Sequence, residues 1–168
     1  STLVVGLWLV QDEATASLME EYYERLRGGV GPAEALRGAG DDLLIDLGGN
    51  LKAVRGDWRV GVRSPSGEGV ATIVTLRAGE ALATSAEYFR GKHIHDGRTG
   101  LPVSNDVASV TVRCPSALWA DGLSTTLFVL GPDAGKRFLR TRLPELLGPD
   151  AAVSVLWILK DGRDVWYR

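Results

Sequence analysis

Trp58-Arg59-Val60-Gly61-Val62-Arg63, then Ser64-Pro65-Ser66-Gly67, then Val70 through Leu76: this stretch decides the fold class. Trp58, Val60 and Val62 alternate with Arg59, Gly61 and Arg63, the period of two that turns one face of a strand inward. Ser-Pro-Ser-Gly is turn chemistry, and Val70–Leu76 answers as the hairpin partner. Moving outward, the same pattern recurs on both sides. Downstream, Val110, Val112 and Cys114 alternate with Ser109, Thr111 and Arg113, and Val153–Leu159 is joined to Asp164–Tyr167 by Lys160-Asp161-Gly162-Arg163. Asp-Gly between two apolar runs is a strong hairpin signal. Upstream, Leu43–Leu47 and Leu51–Val54 flank Gly48-Gly49-Asn50. That triplet follows a strand but has neither G-x-G-x-x-G nor the Walker lysine pattern, so it reads as a tight turn.

Helices interrupt the strands. Ser116 is a good N-cap for a helix to about Leu130, stopped by Gly131-Pro132. A second spans roughly Ala134 to Leu147, with Phe138, Leu139, Leu143, Leu146 and Leu147 as its apolar side. At the front, Leu3–Val10 has strand length. Asp12 offers a cap, and Leu18, Tyr22 and Leu26 recur every four residues in a helix to about Arg27. Gly28, Gly29 and Gly31 end that helix, and Pro32 opens a short one through Arg37. The expectation is one compact α+β domain over residues 1–168, mostly antiparallel, with helices on one side.

At 168 residues, 45% hydrophobic and 24% charged, the chain suits one globular core. A net charge of −2 gives no footprint for nucleic acid. Lys and Arg are scattered among acids, which argues against a membrane surface. No apolar run approaches the ~20 residues that span a bilayer. The first residues lack the basic and long apolar regions of an export signal, so a cytoplasmic location is expected. The single cysteine, Cys114, excludes an internal disulfide and falls in an apolar register.

Two segments concentrate chemistry. His93-Ile94-His95-Asp96-Gly97-Arg98-Thr99-Gly100 holds both histidines of the protein, and Ala120-Asp121-Gly122-Leu123-Ser124-Thr125 follows a strand-like run. Asp121 and Thr125 lie four apart on the helix begun by Ser116, so they share a face. Magnesium takes one or two protein carboxylates and fills its octahedron with water and phosphate oxygens, and this pair suits such an incomplete site. A solvated helix face is the plain alternative. Two histidines with no third His and no Cys make a poor zinc site. Beside a phosphate a histidine serves as base or donor; as a surface loop residue it does neither. Thr84-Ser85 precedes the loop and either faces the same pocket or caps the segment around Glu87.

From about Ala39 to Val165 the chain resembles the C-terminal half of the FAD:protein FMN transferases, the ApbE family. The pieces stand in family order: Leu43 through Asn50, Trp58-Arg59-Val60-Gly61-Val62, Ala83-Thr84-Ser85, His93 through Gly100, Ser109-Val110-Thr111-Val112, then Ala120 through Gly131. The resemblance implies magnesium-dependent transfer of FMN from FAD onto a Ser or Thr of a target flavoprotein, with AMP leaving. It implies Asp121 and Thr125 as metal ligands, His93 beside the reacting phosphate, and His95 and Thr84 lining the FAD site. There are departures: Gly97 stands where a proline is usual, and Ala86 where a glycine is usual. The front half of the family, which builds much of the FAD pocket and gives a backbone carbonyl to the metal, has no counterpart in these residues, which implies an impaired site.

Residues 1 to about 38 resemble a different family, the C-terminal strand and helices of CHAT (caspase-like) domains, through Val4-Val5-Gly6-Leu7-Trp8-Leu9-Val10 and Pro32-Ala33-Glu34-Ala35-Leu36-Arg37. The peptidase His and Cys would precede this segment, so no protease activity follows, and a chimera is the expectation. The alternative to a flavin transferase is a non-catalytic interaction domain. Such a domain is expected to be a homodimer whose second copy covers the exposed pocket face.

Overall fold

A computed structural model describes residues 2–6, 13–38, 42–67, 69–87, 91 and 93–168. The Asp12 cap, the far end of the first strand and the segment around Tyr88 lie outside the described residues. In chain order the elements are strand β1 (Thr2–Gly6), helices α1 (Glu13–Arg27) and α2 (Pro32–Gly38), and strands β2 (Asp42–Asp46), β3 (Asn50–Arg55), β4 (Trp58–Arg63), β5 (Val70–Leu76), β6 (Ala81–Ala86) and β7 (Val107–Cys114). Helix α3 (Ala117–Leu147) and strands β8 (Ser154–Leu159) and β9 (Asp164–Tyr167) complete it.

Seven strands form one sheet in the order β1-β2-β3-β6-β7-β8-β9. Only β1 and β2 run parallel, joined by the α1–α2 crossover; the other neighbours are antiparallel. The turns are those the sequence requires. Gly48 and Gly49 have φ of 72° and 101°, closing β2 onto β3 in a two-residue turn with Leu47 N donating to Asn50 O at 3.0 Å. Gly162 has φ 85° in the β8–β9 loop.

Alternation sorts side chains onto the two faces of the sheet. On one, Ala81, Ala83, Val110, Val112, Cys114, Val155 and Trp157 meet Ala120, Leu123, Leu127, Phe128 and Leu139 of α3. The other face is covered as well, by a second, two-stranded layer. The β4–β5 hairpin is not part of the large sheet but lies over it, with Val62 against Leu156 and Ile158, and Leu76 against Leu44, Ala53 and Leu82. Arg113 donates to Thr75 O at 2.7 Å, tying the two layers. Ser109 and Thr111, read as the polar side of their strand, are therefore buried.

Strand β6 is not evident in the sequence. Its residues Ala81-Leu82-Ala83-Thr84-Ser85-Ala86 are too small to show a hydrophobic period, and it forms only because β3 and β7 offer it two edges. Helix α3 is broken at Gly131 (φ 69°, ψ 175°), where the Gly-Pro stop was expected. Pro132 has no N–H for the Phe128 carbonyl. Asn105 Nδ2 donates to Phe128 O at 2.7 Å, and the indole N–H of buried Trp157 donates to Leu127 O at 3.1 Å.

Candidate functional site

The site is built on the first turns of α3. Ser116 is extended (φ −110°, ψ 123°) and its hydroxyl accepts from Trp119 N, so the helix starts where the sequence placed its cap. Ala120, Leu123 and Leu127 turn to the core, which leaves Asp121 and Thr125 together on the exposed side. The Asp121 carboxylate makes no hydrogen bond or ion pair among the described residues.

The histidine loop is a small ladder of its own. Val103 N donates to Ile94 O and Asp96 N to Leu101 O, both at 2.9 Å, and His95 bridges to Pro102. Ile94 is buried in the core, so His93 and His95, on either side of it, are both exposed on the outer face. Each ring Nδ1 faces a backbone carbonyl: His93 Nδ1 is 2.9 Å from Gly91 O and His95 Nδ1 is 3.0 Å from His93 O. A carbonyl only accepts, so Nδ1 carries the hydrogen, and in the neutral ring Nε2 is left as a free base. The turn between the rungs is closed on Asp96, whose carbonyl accepts from Thr99 N at 3.1 Å and Gly100 N at 2.7 Å. Gly97 occupies the second turn position with its N–H unused and nothing within 4 Å of a Cβ built there, so the space does not require glycine. Ala86 has no positive φ, so the backbone there does not require glycine.

The loop and the helix meet. Asp96, Gly97 and Arg98 form one wall of a cavity of about 340 Å³, and Thr125, Thr126, Val129 and Leu130 form the other. Arg98 lies against Asp96 at 2.7 Å. Its guanidinium, and after it its backbone N–H, hold the Asp96 carboxyl at about 2, below the ordinary value of ~3.9. Asp96 is thus spent on its own turn.

Thr84 and Ser85 part company, because successive residues of a strand point to opposite faces. Ser85 is on the α3 side: its hydroxyl is 2.8 Å from Ser124 Oγ and 2.9 Å from Thr125 Oγ1. Thr84 is on the hairpin side, 2.9 Å from Thr111 Oγ1, lining a different cavity with Arg59, Arg63 and Leu82. The structure therefore brings Ser85, and not Thr84, to Ser124 and Thr125; the strand parity of β6, which the sequence concealed, is the reason. Cys114 is core: it is 1% exposed, burial pushes its thiol up, and its Sγ donates to Ser116 O.

No group of three or more His, Cys, Asp and Glu that could hold a metal occurs among the described residues. What is present is one unpaired carboxylate and one alcohol on one helix face, an oxygen set that fits a hard cation with most of its positions left to water or phosphate. No described helix is long and apolar enough to cross a membrane.

The ApbE family model matches residues 33–147, and a CHAT domain model matches residues 1–60, overlapping it. The FAD:protein FMN transferase of Treponema pallidum is 35% identical over 145 residues, covering 73% of this chain and 38% of the relative. One from Klebsiella pneumoniae is 39% identical over 111 residues, covering 61% of this chain and 35% of the relative. Among solved structures, the ApbE protein of Thermotoga maritima superposes with a TM-score of 0.60 at 29% identity, covering 89% of this chain and 49% of that one. The chain thus spans little more than a third of the length of the curated relatives it matches. With the family model matching more than half of its residues, this chain belongs to the ApbE family.

Proposed function

We propose that this chain forms the phosphate-facing part of an FAD:protein FMN transferase site. The observation that carries the reading is the pairing of an unpartnered Asp121 and an exposed Thr125 on one helix face, with Thr125 lining a cavity whose opposite wall is Asp96, Gly97 and Arg98, the turn that follows His93 and His95. Relatives named as FAD:protein FMN transferases supply the reaction. A hydroxyl of a target flavoprotein attacks the FMN phosphorus of FAD, a new P–O bond forms, the pyrophosphate bond breaks, and AMP leaves. Asp121 and Thr125 would hold Mg2+, which supplies charge neutralisation at the pyrophosphate. His93 is the base: with Nδ1 donating to Gly91 O, its Nε2 is free to take the proton of the attacking hydroxyl. His95, on the same outer face, lines the approach of FAD. The apolar side chains of Val129 and Leu130 keep water from the wall next to Thr125.

The test is to incubate the chain with FAD, Mg2+ and a target peptide bearing Ser or Thr, and to follow AMP release and covalent FMN by mass spectrometry. Wild type should transfer. Asp121→Ala should abolish transfer, and His93→Ala should slow it by about 10²- to 10⁴-fold. Independently of turnover, Mg2+ should shift the amide resonances of residues 121–125 in wild type but not in Asp121→Ala. Equal response of the two proteins to Mg2+ would sink the reading.

A further inference from the structure

We propose that Ser85 is a positioning residue that draws the hydroxyl hydrogen of Thr125 away from the cation site, so that the lone pairs of Thr125 face it. The inference rests on the metal reading above and deepens it. Three bonds link four oxygens. Ser124 Oγ is 2.9 Å from the Asp121 carbonyl, Ser85 Oγ is 2.8 Å from Ser124 Oγ, and Thr125 Oγ1 is 2.9 Å from Ser85 Oγ. Taken alone, either hydroxyl of a pair can donate. Counted together, they cannot. A carbonyl has no hydrogen, so Ser124 donates to Asp121 O, and a hydroxyl has one hydrogen to give. Ser124 is then only an acceptor toward Ser85, so Ser85 donates to it. Ser85 in turn accepts from Thr125. The order of donation is Thr125 to Ser85 to Ser124 to the Asp121 carbonyl, and it has one direction.

The consequence falls on Thr125. A helical threonine commonly turns its hydrogen back to the carbonyl four residues earlier, as Thr126 does to Gly122 O at 2.8 Å. For Thr125 that carbonyl is Asp121 O, and Ser124 already occupies it. Ser85 offers the alternative, from a strand 40 residues away in sequence. With its hydrogen committed inward, the exposed Thr125 Oγ1 presents acceptor capacity only, which is what a cation requires of a neutral alcohol. The chain of hydroxyls ends on the carbonyl of the same residue whose carboxylate is the second ligand. Helix and strand thereby fix both oxygens in one unit.

The experiment titrates Mg2+ alone into the whole chain, following the 121–125 amides by NMR, with thermal melting recorded in parallel. Ser85→Ala should raise the Mg2+ dissociation constant about three- to tenfold, the size of one lost hydrogen bond. Ser85→Thr, which keeps the hydroxyl, should restore it. A role in folding alone would instead lower the melting temperature of Ser85→Ala and leave the dissociation constant where it was. If Asp121→Ala loses Mg2+ while Ser85→Ala and Ser85→Thr bind as wild type does, the relay is overturned and the metal site stands. If wild type itself shows no response centred on residues 121–125, the metal reading falls and the relay with it.

Discussion

Asp96 holds the histidine loop together: its carboxylate accepts from Arg98 Nε, Nη2 and backbone N–H, its own N–H donates to Leu101 O, and its carbonyl accepts from Thr99 N and Gly100 N. Because its pKa in the folded chain, about 2, is below that of an ordinary aspartate, ~3.9, the sign of the pH dependence is set. The contribution of this turn is complete above ~pH 4 and is lost as pH falls through about 2. Arg98 is the first cause, so Arg98→Ala should move the Asp96 titration midpoint upward toward 3.9. A carboxyl 13C titration checks this, and an unchanged midpoint would assign the effect to the backbone N–H. At this scale spacing and chemical type single out Asp121, Thr125, His93 and His95 as candidates. Thr84 and Ser85 could not be separated, because five small residues and one leucine give no cue to which one faces the helix.

The element that most depends on tertiary partners is α3. Propensity and the Gly131-Pro132 pair announce an interruption, yet nothing local says what bonds the carbonyls beside it. Trp157 and Asn105 do so from β8 and from the loop before β7. Gly135 belongs to the same arrangement, since a Cβ there would lie 2.8 Å from the Trp157 ring. Trp157→Phe should remove the buried indole bond to the Leu127 carbonyl and cost about 1–3 kcal/mol beyond lost packing. Asn105→Ala, at a half-buried position, should cost about 0.5–1.5 kcal/mol. Urea denaturation of both variants measures this, and the reverse order would mean that the indole N–H is not what secures the break.

At the scale of the molecule the β4–β5 hairpin makes the difference between a two-layer and a three-layer domain. Leu156, 1% exposed, is the contact of the large sheet with Val62. Leu156→Ala should cost about 2–5 kcal/mol, and hydrogen exchange should quicken at β4 and β5 as well as at β8. Faster exchange at β8 alone would show the hairpin to be an independent unit. The hairpin itself was legible, since Trp58–Leu76 carries its period and its turn in adjacent residues. Its place was not. Alternation says that one side of a ribbon is apolar, and it does not say which surface that side will cover. For the same reason Ser109 and Thr111 read as solvent-facing and are buried.

The sequence by itself determined the local features of this protein: the hairpins, the cap at Ser116, the break at Gly131, and a carboxylate and an alcohol one turn apart on a helix. Each depends on residues within a few positions of one another, where backbone geometry and side-chain chemistry act without the rest of the chain. Tertiary structure alone decided the layering, the parity of β6, and the bond from Ser85 to Thr125. These join residues far apart in the chain, and they exist only once burial of the core has fixed which faces meet.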